Sequence, residues 1–233
     1  MTVLFWDIDG TLLTTGKAGA PAWEAAVLET TGQAFQLSSI RVPGLTDYQI
    51  AVRTFEMLGV PATGDLLERM VARYEAMLPS TLPLKQGRVL PHVREILDSL
   101  CGRADVRSYL LTGNTRAGAR AKLTHYDLMR YFPDGAFAEN PGTRASIAAR
   151  ALDMARRAGP VVANRVFVVG DTPHDIECAG TIDARTIAVA TGGYTVEELL
   201  TYRPWRVFAE LPPPDEFVQL IDEPGAASAS VPA

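Results

Sequence analysis

Two acids stand one residue apart in the stretch "VLFWDIDGTLLTT", residues 3–15, where Asp7 and Asp9 follow an apolar run and precede Gly10 and Thr11. Polar residues collect in the same way after two later apolar runs, in "TGNT" at 112–115 and in "GDTPHD" at 170–175. A single aspartate after a strand is ordinarily a turn or helix-cap residue. Four of them, Asp7, Asp9, Asp171 and Asp175, converging beside one sheet require more. Like charges about 4 Å apart cost roughly 4 kcal/mol per pair at an effective dielectric near 20, so a cation is expected among them. Every donor is an oxygen, which suits hard Mg²⁺ rather than zinc, and His92, His125 and His174 are too scattered to build a zinc site.

Magnesium in turn invites a phosphate. The 112–115 turn offers the Thr112 hydroxyl and the backbone N–H groups of Gly113 and Asn114 at a helix start, where the helix dipole favours anions. A fixed cation is expected beside them. The chain has only three lysines, Lys17, Lys85 and Lys122, and none after 122. Arg144 opens the helix after the third strand, and a guanidinium matches phosphate and carboxylate geometry, so Arg144 is assigned the role. Lys122, one or two turns into its own helix, is read as an exposed surface residue.

For these segments to meet, the apolar runs before them must lie side by side. "VLFW" (3–6), "VRSYLL" (106–111), "GAFAE" (135–139), "RVFVVG" (165–170) and "RTIAVAT" (185–191) are short and apolar on both faces, as strands of a covered parallel sheet are. Helical patterns at 93–100, 116–128, 144–159 and 174–182 alternate with them, the signature of an α/β sheet with right-handed crossovers. Such sheets bind ligands beyond the carboxyl ends of their strands. Residues 16–86 hold no convincing strand but several helical stretches, and "PSTLPLKQGRVLP" returns the chain to the sheet. The expected division is a sheet domain from 1–15 and 87–222, a helical insertion over 16–86, and a disordered tail over 223–233, small and polar in composition.

Of the 233 residues, 47% are hydrophobic and 21% charged, and the formal charge is −5. This balance disfavours nucleic acid and acidic membranes as partners and points to a small molecule. Cys101 and Cys178 match neither a disulfide framework nor a zinc pair; with no leader or membrane-spanning run, the expected location is the cytoplasm. Cys178, Trp6 and Trp23 are expected to be packing residues, and His174 to be structural.

Taken together, "DIDGT", "LLTGNT" and "VVGDTPHDIECA" resemble the first, second and fourth motifs of the haloacid dehalogenase superfamily, within its phosphoglycolate-phosphatase-like members. The resemblance runs from about residue 3 to 210 and implies an α/β fold: a Rossmann-like parallel sheet core with an α-helical cap domain inserted between the first and second motifs. It implies that Asp7 is the nucleophile that forms an aspartyl-phosphate, and that Asp9 serves as general acid and then general base, meeting Mg²⁺ only through its backbone carbonyl. Asp171 would ligate Mg²⁺ with Asp7, and Asp175 would ligate through water or orient its neighbours. Gly10 would permit a sharp turn that Thr11 holds by hydrogen bonding. The third motif is usually a lysine; here "ENPGTRAS" offers Arg144. "VPGLTDYQI" (42–50) resembles the cap loop that dips into the active site, making Gly44, Thr46 and Asp47 possible substrate contacts, while Thr46 or Asp47 could equally be the N-cap of the following helix.

The resulting expectation is a Mg²⁺-dependent phosphatase acting on a small phosphorylated metabolite of the phosphoglycolate type. A sugar phosphomutase similar to β-phosphoglucomutase shares the motifs and is the alternative. A non-catalytic phosphometabolite-binding module is more distant, because all four acids are present. A dehalogenase lacks the second acid, and a phosphonatase needs a cap lysine. Monomer and homodimer remain equally open.

Overall fold

The computed structural model describes residues 1–140 and 142–223, so the expected tail lies, apart from Glu223, outside the described residues. In chain order the elements are β1 (Thr2–Trp6), β2 (Leu13–Thr14), α1 (Gly19–Thr31), α2 (Asp47–Leu58), α3 (Gly64–Thr81), β3 (Arg88–Val89), α4 (Val93–Leu100), β4 (Val106–Leu111) and α5 (Arg116–His125). They continue as β5 (Gly135–Ala136), α6 (Arg144–Ala158), β6 (Val166–Gly170), α7 (Pro173–Gly180), β7 (Arg185–Val189), α8 (Val196–Leu200), β8 (Arg206–Phe208) and α9 (Pro214–Asp222).

Among the described residues, six strands form a sheet in the order β5-β4-β1-β6-β7-β8, every pair parallel. Taking the sheet strands by chain order, this is the Rossmann arrangement, in which the chain works outward from β1 in one direction and then, from β6, in the other. The crossovers on either side of β1 and β6 therefore diverge, and a crevice opens past the carboxyl ends of these two strands. Asp7 follows β1 and Asp171 follows β6, which places both acids in that crevice.

Strand alternation explains why the sheet is held there. Leu4 and Trp6 join one core layer with Ile96 of α4 and Phe217 of α9, while Val3 and Phe5 face the opposite layer with Ile147 of α6 and Ala179 of α7. Trp6 stacks on Phe217 with ring centres 5.5 Å apart. Each such buried side chain contributes about 1.5–3 kcal/mol relative to its exposed state, so β1 is anchored on both faces just before the turn that carries Asp7 and Asp9.

The segment between β2 and β3 is helical, and these two strands pair antiparallel where the chain leaves and re-enters the sheet unit. The helices α1, α2 and α3 enclose their own core around Trp23, Phe55, Met70, Tyr74 and Leu78. The Trp23 indole N–H donates to Thr54 Oγ1 at 3.2 Å, and Tyr74 meets Trp23 edge-on. Helix α2 starts with a capping box in which the Thr46 hydroxyl accepts from the Gln49 N–H and the Gln49 side chain accepts from the Thr46 N–H, so Thr46 is the N-cap.

Two expectations change. The strand expected over 135–139 is only Gly135–Ala136, at the sheet edge, and β8 appears where no strand was expected. No helix among the described residues is long and apolar enough to cross a membrane.

Candidate active site

The turn after β1 is shaped by its backbone. Leu12 and Leu13 donate their N–H groups to the Ile8 carbonyl at 2.9 and 3.1 Å, and Gly10 takes a φ of 84°. A Cβ on Gly10 would lie 2.4 Å from Asp171 Oδ2, so glycine is required both for the turn and for the approach of β6's acid. Thr11 ties the turn through its backbone, its N–H donating to the Ile8 carbonyl at 3.3 Å, while its hydroxyl donates to Asp171 Oδ1 at 3.3 Å. The loop after β7 closes the other side, where a Cβ on Gly192 would fall 1.7 Å from Asp171 Oδ2.

Asp7, Asp171 and Asp175 are buried, and each brings a carboxylate oxygen within 4.8 Å of the others. Burial first, and the charge of Asp175 next, push the Asp7 carboxyl up to about 7; the same two causes hold Asp171 well above the usual carboxylate range. Asp7 Oδ1 is buried without a hydrogen-bond partner. An orphaned oxygen beside a second buried carboxylate fits a hard divalent cation, and Asp7 and Asp171 are the natural direct ligands. Asp175 is differently employed. Its Oδ2 accepts from the Thr172 N–H and hydroxyl at 3.0 and 2.6 Å, capping α7, and its Oδ1 accepts from Arg144 at 2.7 Å. With both oxygens engaged, Asp175 is suited to orienting its neighbours or to ligation through water.

Arg144 sits at the first residue of α6, which Thr143 caps. Its side chain is 10% exposed, Nη1 lies 3.9 Å from Asp7 Oδ1, and Nε donates to the Gly44 carbonyl at 3.2 Å. Burial alone would lower its pKa, but Asp175 and Asp7 keep it raised, so the guanidinium is a permanent cation between Asp7 and the loop through Gly44.

The 112–115 turn departs in part from expectation. The Asn114 N–H is directed at the Thr112 hydroxyl at 3.3 Å, and the Thr115 N–H, at the start of α5, donates to Asp47 Oδ2 at 2.8 Å. The anion seated on this helix terminus is thus the protein's own Asp47, contributed by α2. The Asp47 N–H donates in turn to the Gly113 carbonyl at 2.8 Å, and a Cβ on Gly113 would come 2.8 Å from the Leu45 carbonyl oxygen. Burial pushes the Asp47 carboxyl up to about 6, against the opposing pull of Lys122 and the Thr115 N–H. Gly44 packs against the His174 ring, whose Nδ1 is 3.4 Å from Glu177, consistent with a structural histidine.

Asp9 stands apart from the three clustered acids, its side chain 42% exposed. Its Oδ2 accepts from Lys122 Nζ at 2.5 Å and from Asn114 Nδ2 at 2.9 Å. Lys122 is therefore not the surface residue expected from its type: its side chain is 7% exposed, on the α5 face shared with Ala119 and Leu123. That spacing was the available signal, since a lysine three residues after Ala119 falls on the buried stripe.

A cavity of about 450 Å³ separates the sheet edge from the helical insertion. Its floor includes Asp7, Asp9, Asn114, Arg144 and Asp171, and its roof Trp23, Ile50 and Tyr74, with Lys17 at the side. Gly44, Asp47 and Gly113 also line it. Trp23, Tyr74 and Lys17 were not singled out as site residues from sequence, because only the folded insertion brings them over the acids.

A family model described as haloacid dehalogenase-like hydrolase matches residues 4–180. No curated protein matches by sequence. Among solved structures, the chain is similar to a protein assigned as a phosphatase from Clostridium acetobutylicum, at a TM-score of 0.71 and 17% identity, covering 95% of this chain and 98% of that one. A protein assigned as a phosphoglycolate phosphatase from Haemophilus somnus 129pt gives 0.69 and 15%, covering 95% and 97%. CbbY from Rhodobacter sphaeroides in complex with phosphate gives 0.68 and 16%, covering 90% and 95%. At these identities the likeness is one of fold. The match of the family model over most of the sheet unit and the whole insertion, with the acids of its crevice in place, shows that the chain belongs to the haloacid dehalogenase-like hydrolases.

Proposed function

We propose that the protein is a Mg²⁺-dependent phosphatase that hydrolyses a small phosphorylated metabolite of the phosphoglycolate type through an aspartyl-phosphate. The observation that carries this reading is the unpartnered Oδ1 of buried Asp7, set beside Asp171 and 3.9 Å from the Arg144 guanidinium. Asp7 and Asp171 would hold Mg²⁺ directly, with the Asp9 carbonyl and, through water, Asp175. Bound Mg²⁺ supplies the positive charge that lets a phosphate dianion approach a cluster of carboxylates.

Asp7 attacks phosphorus, the bond from phosphorus to the ester oxygen breaks, and the departing oxygen takes a proton from the Asp9 carboxyl. A water molecule then attacks the phosphoryl group while giving a proton to the Asp9 carboxylate, the bond to Asp7 breaks, and inorganic phosphate leaves. Arg144, the Thr112 hydroxyl and the Gly113 N–H would position the phosphoryl oxygens, with Asn114 employed in holding Asp9 and Thr112, and most of the acceleration is positioning and charge neutralisation. The helical insertion acts as the cap: Thr46, as N-cap, aims α2 at the core, Asp47 fastens it there, and the roof excludes bulk water.

The test is release of inorganic phosphate from p-nitrophenyl phosphate, phosphoglycolate, glycerol phosphate and hexose phosphates, with Mg²⁺ or with EDTA. Release that requires Mg²⁺ is expected. Failure to release phosphate, with exchange between sugar phosphates instead, would replace hydrolysis by a mutase reaction.

A further inference from the structure

Lys122 is a buried cation at the edge of the proposed chemistry, with no role in the reaction as written above. Its Nζ donates to Asp9 Oδ2 at 2.5 Å and to Asn114 Oδ1 at 2.6 Å. Because an ammonium can only donate, the Asn114 amide must turn its oxygen to Lys122, which leaves Nδ2 to donate to Asp9 Oδ2 at 2.9 Å and to Thr112 Oγ1 at 2.8 Å. Asp9 Oδ2 is therefore held from two sides, by a charge and by an amide that the same charge orients. Among the described residues none donates a hydrogen bond to Oδ1, and the Asp9 side chain remains 42% exposed where it lines the cavity.

We propose that Lys122 is a positioning residue for proton transfer, gripping Asp9 by Oδ2 so that Oδ1 alone is presented to the departing ester oxygen and then to water. The inference rests on the hydrolase reading above. In the first step the proton on Oδ1 passes to the ester oxygen as its bond to phosphorus breaks; in the second, Oδ1 takes the proton from the attacking water. Without the grip the carboxyl turns freely and spends less time in line with either oxygen. The same residue lies close enough to Asp47 to influence its charge, so the core cation is also near the acid that fastens the cap.

The dependence on leaving group distinguishes this role from a structural one. Nitrophenolate departs without a proton, whereas an alkoxide requires one, and general acid catalysis is worth roughly 10²–10⁴-fold. Pre-steady-state kinetics of wild type and Lys122→Met would follow phosphoenzyme formation from p-nitrophenyl phosphate and from whichever of phosphoglycolate, glycerol phosphate or hexose phosphate the wild type uses best. The expected result is a loss of about 100-fold with the alkyl ester and no more than about threefold with the aryl ester, KM little changed. Equal losses with both esters, or a rise in KM at unchanged kcat, would overturn the inference. Should Lys122→Met fail to fold, Lys122→Arg keeps the buried charge but displaces the carboxylate, and it is read by the same ratio. A wild type inactive on every ester overturns the hydrolase reading together with this inference, whereas an active wild type with a non-selective variant overturns the role of Lys122 alone.

Discussion

Arg144 donates to Asp175 at 2.7 Å while standing 3.9 Å from Asp7, so a single buried guanidinium neutralises the acid that orders α7 and faces the acid that ends β1. In the proposed reading Arg144 takes the place of the third motif's lysine. Removing one partner of a buried ion pair leaves an uncompensated charge, so Arg144→Ala is expected to cost about 3–5 kcal/mol in stability. Arg144→Lys retains a charge but cannot reach Asp175 and the Gly44 carbonyl together; it should stay folded and lose at least about tenfold in kcat. Denaturant unfolding and steady-state kinetics of the two variants check both expectations.

Asp171 depends on neighbours that lack a side chain. A Cβ at Gly192 would lie 1.7 Å from Asp171 Oδ2, whereas one at Gly193 would lie 3.4 Å from the Pro43 ring, an ordinary contact. Gly192→Ala is therefore expected to displace the carboxylate and weaken Mg²⁺ binding by about 10–100-fold, with Gly193→Ala close to wild type. Titration calorimetry with Mg²⁺ reads the difference, and equal affinities in the two variants would contradict the assignment of Asp171 as a ligand.

Asp47 gives the cap contact a pH dependence. Its folded pKa of about 6 stands above the ordinary 3.8, so its contribution to stability is fully present below about pH 4 and is lost as the pH rises through about 6. Asp47→Asn keeps an oxygen to accept from Thr115 without the titration. Relative to this variant, wild type should lose about 3 kcal/mol between about pH 4 and 7. Unfolding free energies of both proteins across that range check the sign, and a constant difference would count against it.

Much of this arrangement was legible in the residues. The runs at 3–6, 106–111 and 165–170 are apolar on both faces because the sheet is covered on both sides, and the polar segments after them meet because parallel strands end on the same edge. The strand β8 was missed because Arg206–Phe208 is three half-buried residues at a sheet edge, too short for a periodic signal. Lys122 was misjudged from its type, since lysines are seldom buried; its position on the Ala119 and Leu123 face carried the better information. The contact of Asp47 with Thr115 joins residues far apart in sequence, and no local pattern encodes it.

The central claim is that Asp7 carries the phosphoryl group between ester and water. Rapid acid quench of the enzyme turning over a ³²P-labelled ester tests it most directly. The account predicts label on wild-type protein, released by hydroxylamine as an acyl phosphate and mapped to Asp7, with neither label nor turnover in Asp7→Asn. Turnover by Asp7→Asn, or label on another residue of an active wild type, would contradict it.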